Sequence, residues 1–322
     1  MTHSLSGKAR RIVVLGTGGT IAGSSSQAGA NLGYTAGTVS VEDLLGGIAA
    51  PDGFTLHAEQ VAQLDSKDMD TATWQSLHER CQHWLAQDDV TGLVITHGTD
   101  TVEETAFFLH SVLPASKPVV LACAMRPSTA LMPDGPQNLR DALAVVATPE
   151  AAGVTVVCAG EIHGAIEVSK THPYRLKAFG SGDSGPIGYV EEASVRQLRA
   201  WPHQAAGESL TPPGADQWPR VEIVLSHAGA NGALIDLLVR ERQSGAADAV
   251  AGLVLGATGN ASLHRELEQA AHRAQAAGIE VRVAARCNEG RLLPTSDAAF
   301  PIMAALSPVK ARIALMLELC RD

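Results

Sequence analysis

Short apolar runs alternate with amphipathic stretches along most of this chain, the rhythm of a parallel sheet covered by helices. The runs Ile12–Leu15, Leu93–Thr96, Val119–Ala122 and Val154–Cys158 are rich in Val, Ile and Leu without polar alternation, which suits strands buried on both faces. Helical spacing covers Thr73–Gln87, Thr101–Val112 and Gln137–Ala147, and Thr55–Gln63 reads as a strand running into a polar loop. From about Ala193 to Arg220 the periodicity fades and Pro202, Pro212, Pro213 and Pro219 accumulate just after Pro186, the texture of a linker. Beyond it the rhythm resumes, with strands at Val221–Leu225, Gly252–Leu255 and Val281–Ala284 and helices at Ala233–Gln243 and Leu263–Ala277. A last helix runs from Pro308 to Leu319, its proline in the first turn where it costs no hydrogen bond. The expectation is an α/β chain: a larger N-terminal doubly wound sheet domain over residues 1–192, a linker over 193–219, and a smaller C-terminal α/β domain over 220–322.

Composition narrows the function class. The 322 residues are 45 % apolar and 18 % charged, an ordinary soluble globular balance. With 24 Lys and Arg against 34 Asp and Glu the net charge is −10, and the Lys8–Arg11 cluster is too short to form the basic stripe that a nucleic acid requires. The five cysteines stand singly, with no C-x-x-C pair, which argues against a disulfide framework or structural zinc. Cys123 and Cys158 lie in apolar runs and read as small core residues. The twelve histidines show no H-E-x-x-H spacing, so neither a metal nor a cofactor is expected. No run reaches the length of a membrane span and residues 1–7 lack an apolar leader core, so a cytoplasmic location is expected.

In open α/β sheets ligands bind outside the carboxyl ends of the strands, so the residues just after each apolar run carry the information. After the first strand comes Gly16-Thr17-Gly18-Gly19-Thr20-Ile21-Ala22-Gly23, which fails as a dinucleotide fingerprint because Ile21 stands at the third glycine position. Two readings remain for it: a tight turn with surface threonines, or a glycine-rich turn that brings backbone N–H groups and two hydroxyls to a ligand. After the Leu93 run comes Thr96-His97-Gly98-Thr99-Asp100-Thr101, where Thr101 or Asp100 reads as a helix cap and Thr99 with Asp100 as part of a site, two readings that can hold together because a capped helix is a rigid platform. Lys170, within Glu167–His172, is an ordinary surface charge unless it lies near those two segments. The loop Leu64–Met69 offers Ser66 and Lys67, with Ser66 or Asp68 as a helix cap in the simpler reading. A threonine hydroxyl is a poor nucleophile until a base takes its proton, and acyl transfer from an amide also needs oxyanion donors and an acid for the departing ammonia. Thr20, Thr99, Asp100 and Lys170 supply such parts without a metal, and no G-x-S-x-G elbow offers a serine instead.

At these residues the chain resembles the bacterial-type L-asparaginase (asparaginase/glutaminase) family. The T-G-G-T-I-A-G signature stands at Thr17–Gly23 and H-G-T-D-T-x-E-E-T at His97–Thr105. Further matches are Ala124–Pro127, the D-G-P-x-N-L segment Asp134–Leu139, Ser169–Thr171, Gly256–Asn260 and Pro308–Arg312, so the likeness runs from about Arg11 to Leu319. The resemblance implies hydrolysis of L-asparagine to L-aspartate and ammonia through an acyl-enzyme on Thr20. It also implies that Tyr34, in the Gly29–Thr38 loop, closes over substrate and assists the nucleophile, and that Thr99, Asp100 and Lys170 form a second polar group in which Thr99 handles water. Ser66 would hold the substrate α-carboxylate, Asp100 the α-ammonium, and backbone groups near Ala124 the leaving nitrogen. Lys67 departs from the glutamine many members carry; an ammonium repels the substrate ammonium, so Lys67 turns either to the α-carboxylate or to Asp65 or Asp68.

The family pattern further implies a homodimer as the least unit and a tetramer, a dimer of intimate dimers, in which the C-terminal domain contributes to the partner subunit's site. Glu289 and Ser262 are weak matches for the residues that such a domain supplies. Side activity on L-glutamine is expected, because one methylene is a weak discriminator. The reading from a different class is a non-catalytic amino-acid-binding module, which fold alone does not separate from an enzyme.

Overall fold

The computed structural model describes residues 10–27, 29–114, 116–202, 209–214, 217–296 and 298–321. The chain divides after Ser209 into two compact units. In the first, the elements are β1 (Arg10–Gly18), α1 (Val41–Leu45), β2 (Phe54–Leu64), α2 (Thr71–Leu85), β3 (Val90–Thr96), α3 (Val102–Val112), β4 (Pro118–Ala122) and α4 (Gly135–Ala147). They continue with β5 (Gly153–Cys158), β6 (Glu161–Gly164), β7 (Ser169–Lys170), β8 (Phe179–Gly180), β9 (Gly188–Glu191) and β10 (Ser194–Gln197). Among the described residues the main sheet runs β10-β9-β6-β5-β4-β3-β1-β2. The strands from β2 to β5 are mutually parallel, and β6, β9 and β10 extend the sheet antiparallel.

Burial on both faces explains the continuous apolar runs. Ile12, Val14, Val94, Val120 and Val157 pack under Leu139 and Leu143 of α4 and Val41 of α1. Their sequence neighbours Val13, Leu15, Leu93, Ile95 and Leu121 are equally buried on the face covered by α2 and α3. Each such Val, Leu or Ile contributes about 1.5–3 kcal/mol relative to exposure. The two helices on that second face are tied by Trp74, which stacks on Phe108 at 5.0 Å and donates its indole N–H to Thr105 at 2.9 Å.

The second unit holds β11 (Val221–Leu225), α5 (Ala233–Gln243), β12 (Gly252–Ala257), α6 (Arg265–Ala276), β13 (Glu280–Ala285) and α7 (Pro308–Glu318). Its parallel sheet β11-β12-β13 is covered on one face by α5 and α6 and on the other by α7. Among the described residues of the chain, no helix is long and apolar enough to cross a membrane.

The main strands and helices thus match the periodicity, while the short antiparallel strands do not stand out in it. Ser194–Gln197, inside the stretch read as linker, pairs with Gly188–Glu191 across a turn in which Glu192 and Ala193 take positive φ. Its single apolar side chain, Val195, is half-buried, so an edge strand of this kind leaves almost no alternation to read.

Candidate active site

The strand order reverses around β1, which lies between β2 and β3 although β2 comes next in the chain. Such a switch point opens a crevice outside the carboxyl ends of the strands. Here the loops after β1 and β3 meet backbone to backbone. Gly18 and Gly19 take φ of 102° and 79°, and a Cβ on Gly19 would stand 2.2 Å from the Gly98 backbone. The Gly19 N–H donates to the Leu64 carbonyl at 2.8 Å, which ties in the end of β2 as well. Gly19→Ala is therefore expected to destabilise the protein by about 2–4 kcal/mol, from the clash and the left-handed backbone together, read as a lower midpoint in urea at unchanged slope. An unchanged midpoint would mean that the two loops do not pack as tightly as this.

Thr20 opens a short 3-10 turn, Thr20–Ala22, and is 5 % exposed. Its hydroxyl hydrogen-bonds the Tyr34 hydroxyl at 2.6 Å. The Tyr34 loop is pinned there by the antiparallel bridge between Ser24 and Thr35, and Gly23 leaves room for the ring, since a Cβ would lie 3.0 Å from Tyr34 Cδ2. The other hydroxyl of the glycine turn has a different use. Thr17 donates to the Thr96 carbonyl at 2.8 Å and braces β1 against β3.

Lys170, on the two-residue strand β7, is no solvated surface charge: its side chain is 17 % exposed. Its Nζ donates to Thr99 Oγ1 at 2.8 Å and to Asp100 Oδ1 at 2.6 Å, which joins residues seventy positions apart into one relay. The helix-cap reading of this segment holds in position but not in hydrogen bonding. Thr101 sits at the N-cap of α3 without a side-chain cap bond and donates its hydroxyl to the Ser66 carbonyl at 2.7 Å instead. Ser66, 2 % exposed, accepts the Asp100 N–H at 3.2 Å, so the β2 and β3 loops are stitched together. The neighbouring His97 is fully buried, and burial lowers its pKa to about 4, so it adds no charge at neutral pH.

Ser66 is also free of the capping role that its position suggested. Asp65 caps the 3-10 turn Ser66–Asp68 and Asp70 caps α2, through Lys67 N–H and Thr73 N–H respectively. Lys67 takes the acidic alternative: its ammonium pairs with Asp68 and lies 3.7 Å from Asp65, with the side chain 60 % exposed. The hydrogen bond to Asp68 is the main reason its pKa rises.

Ala124 is fully buried just beyond β4 and packs with Ile21 and Ala22 beside the Thr20 turn. The turn around it is held by Asp134 and Asn138, both of the D-G-P-x-N-L segment that resembles the family. Their visible signal was an acid and an amide four residues apart at the start of a helix, one face of one turn. In the second unit Ser262 and Glu289 lie in exposed loops, and Asn260 makes two hydrogen bonds to the Leu293 backbone.

The asparaginase N-terminal model matches residues 11–202 and the glutaminase/asparaginase C-terminal domain model matches residues 220–322. L-asparaginase 2 of Bacillus subtilis is 35 % identical over 316 residues, 96 % of this chain and 82 % of that protein. A glutaminase-asparaginase of Pseudomonas fluorescens is 31 % identical over 325 residues, covering 98 % of this chain and 87 % of the relative. The crystal structure of a probable cytoplasmic L-asparaginase from Campylobacter jejuni superposes with a TM-score of 0.88 at 34 % identity, over 97 % of this chain and 96 % of that one. With family models on both units, relatives along nearly its whole length and signature threonines on facing loops, the chain belongs to the asparaginase/glutaminase family.

Proposed function

We propose that this protein hydrolyses L-asparagine to L-aspartate and ammonia through an acyl-enzyme on Thr20. The observation that carries the reading is the pairing of Thr20 with Tyr34 on one loop, beside a relay that Lys170 of β7 makes with Thr99 and Asp100 of the facing loop. Thr20 Oγ1 attacks the side-chain amide carbon, its proton leaves through Tyr34 and ends on the departing nitrogen, and the C–N bond breaks. A water held by Thr99, with Lys170 setting the direction of that hydroxyl, then attacks the ester. Aspartate leaves and the proton returns to Thr20. Ser66 and Asp100 anchor the substrate's α-carboxylate and α-ammonium, and the Ala124 backbone takes the leaving nitrogen. The buried threonine pair supports catalysis over mere binding, because a binding module has no use for a hydroxyl held against a phenol.

The same reading includes assembly into a homo-oligomer whose subunits complete one another's sites, supported by Leu234 and Leu237 left exposed on one side of α5. A cytoplasmic setting is supported by five free cysteines and by the likeness to the Campylobacter jejuni enzyme described as cytoplasmic. Ammonia release measured with L-Asn, D-Asn and L-Gln at matched concentration tests the substrate. L-Asn is expected to be fastest and L-Gln slower by about 10–200-fold, the range one methylene commands. Tight L-Asn binding with no ammonia would sink the enzyme in favour of a binding module.

A further inference from the structure

Lys170 stands on the smallest sheet of the first unit. Strand β7 pairs with β8 at Ser169↔Gly180 and Lys170↔Phe179, and this ribbon is not part of the eight-stranded sheet. A two-stranded ribbon is marginal by itself, so whatever anchors it decides where the Lys170 ammonium points. Its entry is held by the Val168 N–H, which donates to the Gly164 carbonyl at 2.9 Å, and by the buried side chains of Val168 and Phe179. Its exit is held by polar side chains that the catalytic reading leaves unused.

These come from β6. Glu161 and His163 stand at alternate positions, so both side chains leave the same face of the strand. His163 is 1 % exposed, and its Nδ1 lies 2.9 Å from the hydroxyl of Ser181, the residue that follows β8. Glu161 Oε2 lies 3.7 Å from His163 Nε2, and Glu161 Oε1 accepts Lys177 Nζ at 2.7 Å from the turn between β7 and β8. A carboxylate on the Nε2 side favours the tautomer protonated there, which leaves Nδ1 to accept the Ser181 O–H. Glu161, His163 and Ser181 are all buried, so their role is support and not contact with substrate. Ser181 is bonded to Gly180, and Gly180 faces Ser169, the neighbour of Lys170. A short path along and across the ribbon thus joins one buried hydrogen bond to the lysine whose Nζ must reach Thr99 at 2.8 Å.

We propose that His163 is a positioning residue for the second half of the reaction, holding Ser181 so that the β7–β8 ribbon keeps the Lys170 ammonium on Thr99. The inference rests on the Thr20 acyl-enzyme reading and deepens it. Loss of the His163–Ser181 bond lets the ribbon shift while Val168 and Phe179 keep it folded. Thr99 then directs water poorly, and the ester on Thr20 forms faster than it is cleared. Thr20 and Tyr34 sit on a different loop and keep their hydrogen bond.

The half-reaction that slows separates this role from a structural one. Kinetics are measured for the wild type, Ser181→Ala, His163→Phe and His163→Asn on L-asparagine and on the β-methyl ester of L-aspartate, with thermal unfolding followed in parallel. Both substrates give the same aspartyl ester on Thr20, so a fault confined to deacylation brings their kcat values together. Ser181→Ala and His163→Phe are expected to lose about 10–10²-fold in kcat on the amide, up to the effect of a misplacement of about an ångström, while ammonia release in the first turnover stays within about threefold of wild type. The aspartyl adduct should accumulate on Thr20 in both. His163→Asn, whose amide oxygen can take the place of Nδ1, is expected to recover kcat to within about threefold of wild type. Ser181→Ala removes a single oxygen and carries the test should His163→Phe fail to fold. First-turnover and steady rates that fall together, with no adduct, would show a structural role only and overturn the proposal. So would an unchanged kcat in Ser181→Ala, or a His163→Asn protein as slow as His163→Phe. A wild-type protein inert on both substrates would overturn the Thr20 reading itself.

Discussion

Thr20→Ala is expected to abolish ammonia release from L-asparagine, lowering kcat by on the order of 10⁴-fold or more, because the proposed acyl transfer places the covalent ester on this hydroxyl. The expectation is specific to the hydroxyl. Thr20 is buried at 5 % exposure in a short turn whose backbone is held by neighbours: the Gly19 N–H bonds the Leu64 carbonyl and the Gly23 N–H bonds the Thr20 carbonyl. Alanine keeps those backbone bonds and removes only the hydroxyl and one methyl. What is lost chemically is the 2.6 Å hydrogen bond to Tyr34, whose loop retains the Ser24–Thr35 bridge. The variant should therefore fold, keep its affinity for asparagine and accumulate no covalent adduct. Mass spectrometry of acid-quenched protein checks the last point, since the wild type should carry an aspartyl increment at the peptide containing Thr20. Turnover retained in Thr20→Ala, or an adduct on another peptide, would move the nucleophile elsewhere.

What the sequence disclosed and what it hid divide along physical lines. Strands β1, β3, β4 and β5 announced themselves because both faces are buried, which leaves unbroken runs such as Ile12–Leu15. Strands at the sheet edge did not, because a strand like Ser194–Gln197 needs only one apolar side chain to pair. The glycine turn was legible as chemistry but not as a junction. That Gly19 must approach Gly98 within contact distance follows from the strand order, which places β1 between β2 and β3 and which periodicity cannot supply. Lys170 shows the same limit more sharply. Alone in the sequence it reads as a surface lysine, and only the tertiary bonds to Thr99 and Asp100 give it another meaning. Lys67 is the converse, a lysine beside a site serine whose charge is spent on its own neighbours Asp68 and Asp65. Asp134 stood only in a segment that resembles the family, three residues before the helical spacing begins at Gln137; the helix in fact starts at Gly135, and the carboxylate turns back to accept the Met125 and Arg126 N–H groups.

The relay on the facing loop predicts a failure of a different kind. Lys170→Met is expected to lower kcat on asparagine by about 10²–10⁴-fold, the range for losing a positioned acid–base group, while KM stays within severalfold. Methionine fills a similar length in a position 17 % exposed, and Asp100, whose side chain is 54 % exposed, keeps water when its ammonium partner goes. The fold should accordingly survive. Thr99 then loses the Nζ donor 2.8 Å from its hydroxyl, and with it the orientation needed to hold the attacking water. Because Thr20 and Tyr34 are untouched, acylation should outlast deacylation. Rapid mixing is expected to give a burst of ammonia close to one equivalent per site, followed by a slow steady rate, with the aspartyl adduct trapped on Thr20. Thr20→Ala should show no burst at all, so the two variants separate the nucleophile from the machinery that releases it. A Lys170→Met protein with normal steady turnover would remove the lysine from the mechanism. One with neither burst nor adduct would place Lys170 in the first step, as part of the path by which the Thr20 proton leaves.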